Sequence, residues 1–261
     1  MRAISSLGEK VWSQWDEVRH AAAVVGTVLG LSVQPRYWGR RVFKLFARQV
    51  LTVGIEPLSF VCVIAAFVGV SVVVQLAFWT GKAGQSQLLG PLLVAVVARE
   101  LGPLLTNIVV IVRSSSAMAT ELGVLKINGD VQLLEAQKND PFLHLVLPRV
   151  LGVALSTFCL TIAFVLVALA SGYFFGACLG TGSRDMWFFA NTVLNSLRPQ
   201  DMASILAKSI LPALFTSASC CIGGLGVGAV TDIPHATQRA LTRSVAGLFV
   251  ISAVVSLLTY L

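Results

Sequence analysis

The sequence predicts an all-α integral membrane protein with about five transmembrane helices and an N-terminal interfacial or re-entrant helix. Of its 261 residues, 56% are hydrophobic and only 12% are charged, whereas about a quarter of the residues in a soluble domain are charged. Apolar runs long enough to cross a bilayer recur along the chain, with basic segments between them. The net charge of +7 therefore indicates loops that face the cytoplasm rather than a nucleic-acid-binding surface.

The first fifty residues predict a basic segment that lies on the membrane. Eight of them are Lys or Arg, and the first apolar run, residues 21–33, has thirteen residues. This run is shorter than the roughly 20 residues that a spanning helix needs. We therefore expect residues 1–50 to form an interfacial segment within a single domain that covers residues 1–261.

Five later segments predict the spanning helices, and these are residues 57–79, 88–112, 150–179, 205–230 and 244–261. Lys and Arg number fourteen in the N-terminal segment and in the loops after the second and fourth spans, and four on the opposite side. Because basic loops face the cytoplasm, the N-terminus is expected in the cytoplasm and the C-terminus outside. Five spans require the same arrangement.

The second span contains the sequence Arg99-Glu100-Leu101-Gly102-Pro103, which places two charges and a helix breaker inside an apolar run. A charge at the bilayer centre costs roughly 2.5–3.5 kcal/mol, so such residues normally face a protein interior or a cavity. Neighbouring side chains on a helix point about 100° apart, so Arg99 and Glu100 are expected to have separate partners. Pro103 removes a backbone hydrogen bond and favours a kink, and Gly102 allows close approach. We therefore predict a broken helix that presents its charges to a cavity; a purely structural ion pair is the alternative.

A long cytoplasmic loop is expected over residues 113–149. Asn128-Gly129 is a turn signal, and Asp130 is predicted to be the N-cap of a short helix over residues 131–138. The apolar positions of this helix are Val131, Leu133 and Leu134. Two interpretations remain open, because such a helix either lies on lipid or docks a soluble partner.

The sequence lacks the motifs of an enzyme that acts by itself. Gly81-Lys82 has neither the upstream Gly nor the following Ser or Thr of a nucleotide-binding loop. No Gly-x-Ser-x-Gly motif occurs, and the five Cys and three His residues have no metal-binding spacing. We expect no bound cofactor or metal. Because the sequence has no nucleotide-binding loop, any ATP that is used would be hydrolysed by a partner.

Short motifs occur in a distinctive order within and after the second span. They are Glu100-Leu101-Gly102-Pro103, Arg113, Glu121-Leu122-Gly123, Leu134-Glu135, Asp140-Pro141 and Pro148-Arg149, followed near the C-terminus by Arg239-Ala240 and Thr242-Arg243. This set resembles the MlaE/YrbE permeases, the membrane subunits of ABC-type lipid transporters that work with MCE proteins. Length, number of spans and the basic N-terminus also fit, so the resemblance covers essentially the whole chain.

The resemblance implies a homodimeric permease of the bacterial inner membrane that moves phospholipid between the inner and outer membranes. Its implied partners are a cytoplasmic ABC ATPase that uses ATP, a periplasmic MCE-domain protein and, as a further candidate, a STAS-domain protein. Two rival functions are a permease for a small polar solute and a membrane scaffold that transports nothing.

Candidate roles for individual residues follow from the charges and the proline described above, together with the resemblance. The candidate lipid-binding residues are Arg99, Glu100, Leu101, Arg239 and Arg243, with the helix break at Gly102 and Pro103. The resemblance implies that the residues that couple the permease to the ATPase would be Glu121, Asp130, Val131, Leu134, Glu135 and Asp140. Arg239 and Arg243 lie four residues apart, on one helix face, and either hold anionic headgroups or simply follow the positive-inside rule.

Overall fold

The computed structural model describes residues 19–32, 39–82, 84, 89–137, 140–178 and 186–260. All regular elements within these residues are helices. Five helical segments are long and apolar enough to cross a membrane, and these are Val42–Lys82, Pro91–Ile127, Phe142–Cys178, Pro199–Leu225 and Val230–Thr259. The prediction of an all-α membrane protein with five spans is confirmed.

The helices are labelled in chain order. They are α1 (19–32), α2 (Arg40–Gly54), α3 (Leu58–Lys82), α4 (Leu89–Leu93), α5 (Gly102–Val110), α6 (Ser116–Ile127), α7 (Asp130–Ala136), α8 (Leu147–Cys178), α9 (Met186–Ser196), α10 (Pro199–Leu225) and α11 (Ile233–Tyr260). Three π-helical segments interrupt this series, and they are π1 (Val94–Leu101), π2 (Ile111–Ser115) and π3 (Phe142–Val146). A 3-10 turn, Val230–Asp232, precedes α11.

The chain divides into two compact units. The first contains the described parts of residues 1–49 together with 111–153 and 213–248. The second contains the described parts of residues 50–110, 154–212 and 249–261. Several helices contribute residues to both units.

Small residues set the packing of α3 and α8 in the second unit. A Cβ atom at Gly69 would overlap the backbone of Ala168, and one at Gly172 would overlap Val73. The Ser171 hydroxyl donates a hydrogen bond to the Ala66 carbonyl across this contact, at 3.1 Å. Small residues permit such close approach between membrane helices, where packing rather than the hydrophobic effect drives association.

The glycine-rich end of α10 packs closely within the first unit. A Cβ atom at Gly224 would lie 2.5 Å from the Ala119 carbonyl oxygen of α6, and one at Gly223 would lie 3.1 Å from Ala240 of α11. The run of glycines therefore brings three helices together.

Several helix ends differ from the ends that the apolar runs predict. The expected loop over residues 113–149 is wrong in its first part, because π2 and α6 continue the helix from Ile111 to Ile127. A charged residue ends an apolar run in the sequence, but it does not interrupt the backbone hydrogen bonds of a helix. Likewise α11 begins at Ile233 rather than at the predicted residue 244, and α10 ends at Leu225 rather than at residue 230.

The described part of the predicted interfacial segment, residues 1–50, contains α1 and most of α2. Within the predicted interfacial segment, residues 1–18 and 33–38 lie outside the described residues, and α1 covers 19–32. α2 is amphipathic in sequence, with Arg40, Lys44 and Arg48 among apolar residues, and it exposes Phe43 and Leu51. Such a helix is suited to the membrane interface.

Candidate functional site: a charged cluster within the apolar spans

Arg99 and Glu100 each form an ion pair with a residue of α10. Arg99 Nη2 lies 2.8 Å from Asp201 Oδ1, and Lys208 Nζ lies 2.5 Å from Glu100 Oε1. Asp201 and Lys208 are seven residues apart, which is about two turns of an α-helix and places both on one face. The prediction that the adjacent charges have separate partners is confirmed. All four residues belong to the second unit.

Burial differs sharply among the four side chains. Those of Asp201 and Lys208 are each 1% exposed, whereas Arg99 is 22% and Glu100 is 47% exposed. The cluster contains two positive and two negative groups, so its formal charges cancel. The Ser256 hydroxyl of α11 also donates to Glu100 Oε1, at 3.2 Å. Glu100 is therefore the accessible member of a largely buried cluster.

Pro103 changes the backbone hydrogen bonding of the second span, but the helix continues past the proline. π1 continues directly into α5, and the Gly102 N–H donates to the Val97 carbonyl, five residues earlier. Because Pro103 has no N–H, the Arg99 carbonyl loses its ordinary α-helical donor. Lys208 Nζ donates to that carbonyl instead, at 3.2 Å.

The predicted helix break at Gly102 and Pro103 is therefore wrong, although the lost hydrogen bond is real. The π-helical segment π1 ends just before Pro103, and the chain remains helical through the proline. Gly102 has the packing role expected of it, because a Cβ atom there would lie 2.8 Å from a methyl carbon of Val165 in α8. Leu101, the third predicted lipid-binding residue, is half-buried next to Glu100.

Arg239 and Arg243 line a cavity in the first unit. Its volume is about 320 Å³, at the lower end of the range typical of ligand pockets. The lining residues are Ile222, Gly223, Gly226, Val227, Gly228, Asp232, Ala236, Arg239 and Arg243. Two guanidinium groups against one carboxylate favour an anionic group, and the glycines leave room for it.

The predicted coupling residues lie in the first unit, within α6, within α7 and just before π3. Glu121, which is 60% exposed, forms an ion pair with Arg149 at 2.8 Å. Arg149 Nη1 also donates to the Leu145 carbonyl, at 3.1 Å. The two motif residues thus tie α6 to the start of α8. Asp140 starts π3, because its Oδ1 accepts a hydrogen bond from the Phe142 N–H at 3.0 Å.

The short helix α7 differs from its prediction at both ends. Its N-cap is Gly129, with φ of 84°, and Asp130 is the first helical residue instead of the cap. A positive φ favours glycine because it has no Cβ. The helix ends at Ala136, and residue 138, its predicted last residue, lies outside the described residues. Within α7, Val131 is buried, Leu134 is half-buried, and Leu133 and Glu135 are exposed.

Residues 46–258 match the protein family described as Permease MlaE, which covers well over half of the chain. The chain belongs to the MlaE permease family. It is 26% identical to "Intermembrane phospholipid transport system permease protein MlaE" of Haemophilus influenzae, over 70% of this chain and 69% of that protein. It is 28% identical to a probable ABC transporter permease protein of Synechocystis, over 77% of this chain and 76% of the relative. It is also 26% identical to "Protein TRIGALACTOSYLDIACYLGLYCEROL 1, chloroplastic" of Arabidopsis thaliana, over 97% of this chain and 73% of that protein.

Sequence reasoning missed two members of the charged cluster in this permease. They are Asp201 and Lys208, for which the sequence alone predicts no role. A signal was present, because Asp201 and Lys208 are opposite charges seven residues apart in one apolar region, and Arg99 and Glu100 are opposite charges in another. Two charged pairs in two apolar segments are expected to neutralise each other.

Proposed function

We propose that the chain is the transmembrane subunit of an ABC-type transporter that moves phospholipid between membranes, and that Glu100 contacts the cargo. The observation that carries the proposal is the burial of the charged cluster. Lys208 and Asp201 are almost fully enclosed, and Glu100 remains 47% exposed although it is already paired. Family membership supports transport as the class of function, and one relative is named for intermembrane phospholipid transport.

The chemistry of the cluster suits a zwitterionic or anionic lipid headgroup. Lys208 neutralises Glu100, so the region carries both charge signs without a large net field. Arg99 is also partly exposed at 22%, which allows a phosphate to approach its guanidinium group. Half-buried Leu101 offers an apolar contact for the start of an acyl chain. We assign lipid binding to Arg99, Glu100 and Leu101 on these grounds.

A second anionic group is proposed to bind in the cavity at Arg239 and Arg243. The i,i+4 spacing of these residues places both guanidinium groups on one face of α11, and both line the cavity. If the N-terminus is cytoplasmic, as the distribution of basic residues suggests, this cavity lies toward the cytoplasmic leaflet. Anionic lipid headgroups in that leaflet attract such basic groups.

The transport cycle is proposed to need partners that supply energy and a route for the lipid. A cytoplasmic ATPase would hydrolyse ATP and engage α7, where Leu133 and Glu135 are exposed and Val131 anchors the helix. Glu121, Asp130, Leu134 and Asp140 would hold the coupling segment in place. The chain would act as a homodimer in the bacterial inner membrane, together with a periplasmic MCE-domain protein and, as a further candidate, a STAS-domain protein.

The test is mass spectrometry of all proteins and lipids that copurify with the tagged chain in mild detergent. We expect an ATPase, an MCE-domain protein and stoichiometric phospholipid with the wild type. Glu100→Ala and Arg99→Ala are expected to lose most of the lipid and to keep the ATPase. Glu56→Ala is the matched control, because Glu56 is an exposed glutamate of the same unit outside the cluster.

Each alternative outcome contradicts the proposal in a different way. An ATPase without retained lipid would favour a permease for a small polar solute. The absence of any ATPase would favour a scaffold that transports nothing. Lipid retention equal to the wild type in both cluster variants would show that Glu100 and Arg99 do not bind the cargo.

A further inference from the structure

Two prolines in neighbouring helices of the second unit each remove a backbone donor, and each loss is compensated by a side chain from the other helix. Pro103 leaves the Arg99 carbonyl without its α-helical donor, and Lys208 Nζ of α10 donates to it at 3.2 Å. Pro212, inside α10, leaves the Lys208 carbonyl without its α-helical donor. The Asn107 amide of α5 donates to this carbonyl, also at 3.2 Å.

The two compensating bonds meet at one residue. Lys208 supplies the side chain for the first bond and the backbone carbonyl for the second. Asn107 is itself fixed, because Nδ2 also donates to the Pro103 carbonyl at 2.8 Å. Asn107 is 1% exposed and Lys208 is 1% exposed, so water does not offer an alternative partner. Neighbouring helices and side chains are among the groups that satisfy carbonyls freed by proline in membrane helices.

We propose that Asn107 is a positioning residue, which holds the backbone of Lys208 so that its ammonium group reaches both Glu100 and the Arg99 carbonyl. Pro212 creates the need for Asn107, and the two residues act as a matched pair. The inference rests on the proposed function in one respect, since Lys208 fixes the carboxylate that is assigned to cargo contact. The positioning itself concerns only the geometry of this chain.

The pairing makes a specific prediction for a double-mutant cycle. Asn107→Leu keeps the approximate size of the side chain but leaves the Lys208 carbonyl without a donor. Pro212→Ala restores the backbone N–H, so the carbonyl regains its helical partner and no longer needs Asn107. The loss caused by Asn107→Leu should therefore disappear in the Pro212→Ala background. A residue that merely filled space would give the same loss in both backgrounds.

The measurement is the rate of reductive methylation of Lys208, quantified by mass spectrometry on the full chain in mild detergent without added lipid. Exposed Lys44 in the same molecule serves as the internal reference. Interhelical hydrogen bonds in membranes shift an equilibrium by about threefold on average. We therefore expect Asn107→Leu to raise the relative rate at Lys208 about threefold, and Asn107→Leu/Pro212→Ala to match Pro212→Ala alone.

Thr106→Val is the control for the loss of a buried polar group on α5. Thr106 is fully buried, and its hydroxyl has no hydrogen-bond partner among the described residues. We expect this variant to label like the wild type. If Asn107→Leu does not fold, Asn107→Ala removes the same donor, and the double variant can still be compared with Pro212→Ala.

Two results would overturn the inference. One is an unchanged rate at Lys208 in Asn107→Leu, and the other is an equal increase in the Pro212→Ala background. Lipid retained by the same preparations is measured in parallel, with about a threefold loss expected for Asn107→Leu and recovery in the double variant. If the wild type retains no lipid, the proposed function fails while the labelling cycle still decides the role of Asn107.

Discussion

The unequal burial of the Lys208–Glu100 pair predicts that its two members are not equally costly to remove. Glu100→Gln leaves the ammonium group of Lys208, which is 1% exposed, with the Arg99 carbonyl but no carboxylate. Leaving a buried charge without its partner costs about 3–5 kcal/mol. Lys208→Met removes the buried charge and leaves Glu100, which is 47% exposed and accepts a hydrogen bond from Ser256.

The smaller cost of Lys208→Met follows from what is left behind. Its main penalty is the unsatisfied Arg99 carbonyl, which costs about 1–3 kcal/mol. The double variant Glu100→Gln/Lys208→Met has no uncompensated charge in this pair, so it should be about as stable as Lys208→Met. We therefore expect Glu100→Gln alone to be the least stable of the three. Adding the second substitution should recover about 2 kcal/mol, within the range of the two penalties.

The assay is thermal unfolding in detergent, followed with a fluorogenic dye that reacts with thiols. Cys62, Cys159 and Cys178 are first replaced by Ala, because their side chains are partly or fully exposed in the folded chain. The remaining Cys220 and Cys221 are 0% and 1% exposed, so they react only when the protein opens. At about 2–4 °C per kcal/mol for a chain of this size, Glu100→Gln should lower Tm by about 6–20 °C. The reasoning is refuted if Lys208→Met lowers Tm as much as Glu100→Gln, or if the double variant melts together with Glu100→Gln.

Three further predictions follow from burial and packing. Arg99→Gln should lower Tm more than Asp201→Asn, since it leaves a carboxylate that is 1% exposed without its cation; equal shifts would contradict this. Gly69→Ala should destabilise by about 1–3 kcal/mol, because the added methyl group overlaps the backbone of a neighbouring helix, whereas Gly81→Ala, which has open space, should change Tm little. Leu133→Glu on the exposed face of α7 should reduce the amount of ATPase that copurifies, at unchanged Tm. Copurification of the ATPase at the wild-type level would exclude this face from docking.

The sequence predicted the class of fold and the existence of the site better than its boundaries and its partners. Hydropathy located the five spans because it shows which segments are apolar enough to lie in the bilayer. It could not find the ends of the helices, as the continuation of helix from Ile111 to Ile127 shows. The separate partners of Arg99 and Glu100 were predictable from helix geometry. Their identities, Asp201 and Lys208, depended on which face of α10 turns toward them, and a single sequence does not fix that face.

The helix break was mispredicted for a related reason. Proline removes one backbone hydrogen bond, but whether a helix then breaks depends on what satisfies the freed carbonyl. At Pro103 the donor is a side chain more than a hundred residues later in the chain, Lys208. The local rule therefore predicted that the Arg99 carbonyl loses its helical donor. Only the tertiary structure shows that Lys208 donates to it instead.

The cluster is difficult to explain as a device for stability alone. Replacing a buried ion pair by apolar residues of similar size is often neutral or stabilising, and charges within a membrane are costly and usually functional. Three of the four groups are at most 22% exposed and are held by one another or by backbone groups. Only Glu100 is accessible to a large extent, and it is held from two sides by Lys208 and Ser256. Such an arrangement keeps one carboxylate fixed at the surface of an apolar span, where a mobile glutamate would turn toward water. For the proposed lipid-binding role, such an acid would orient a headgroup without repelling its phosphate by a net negative charge.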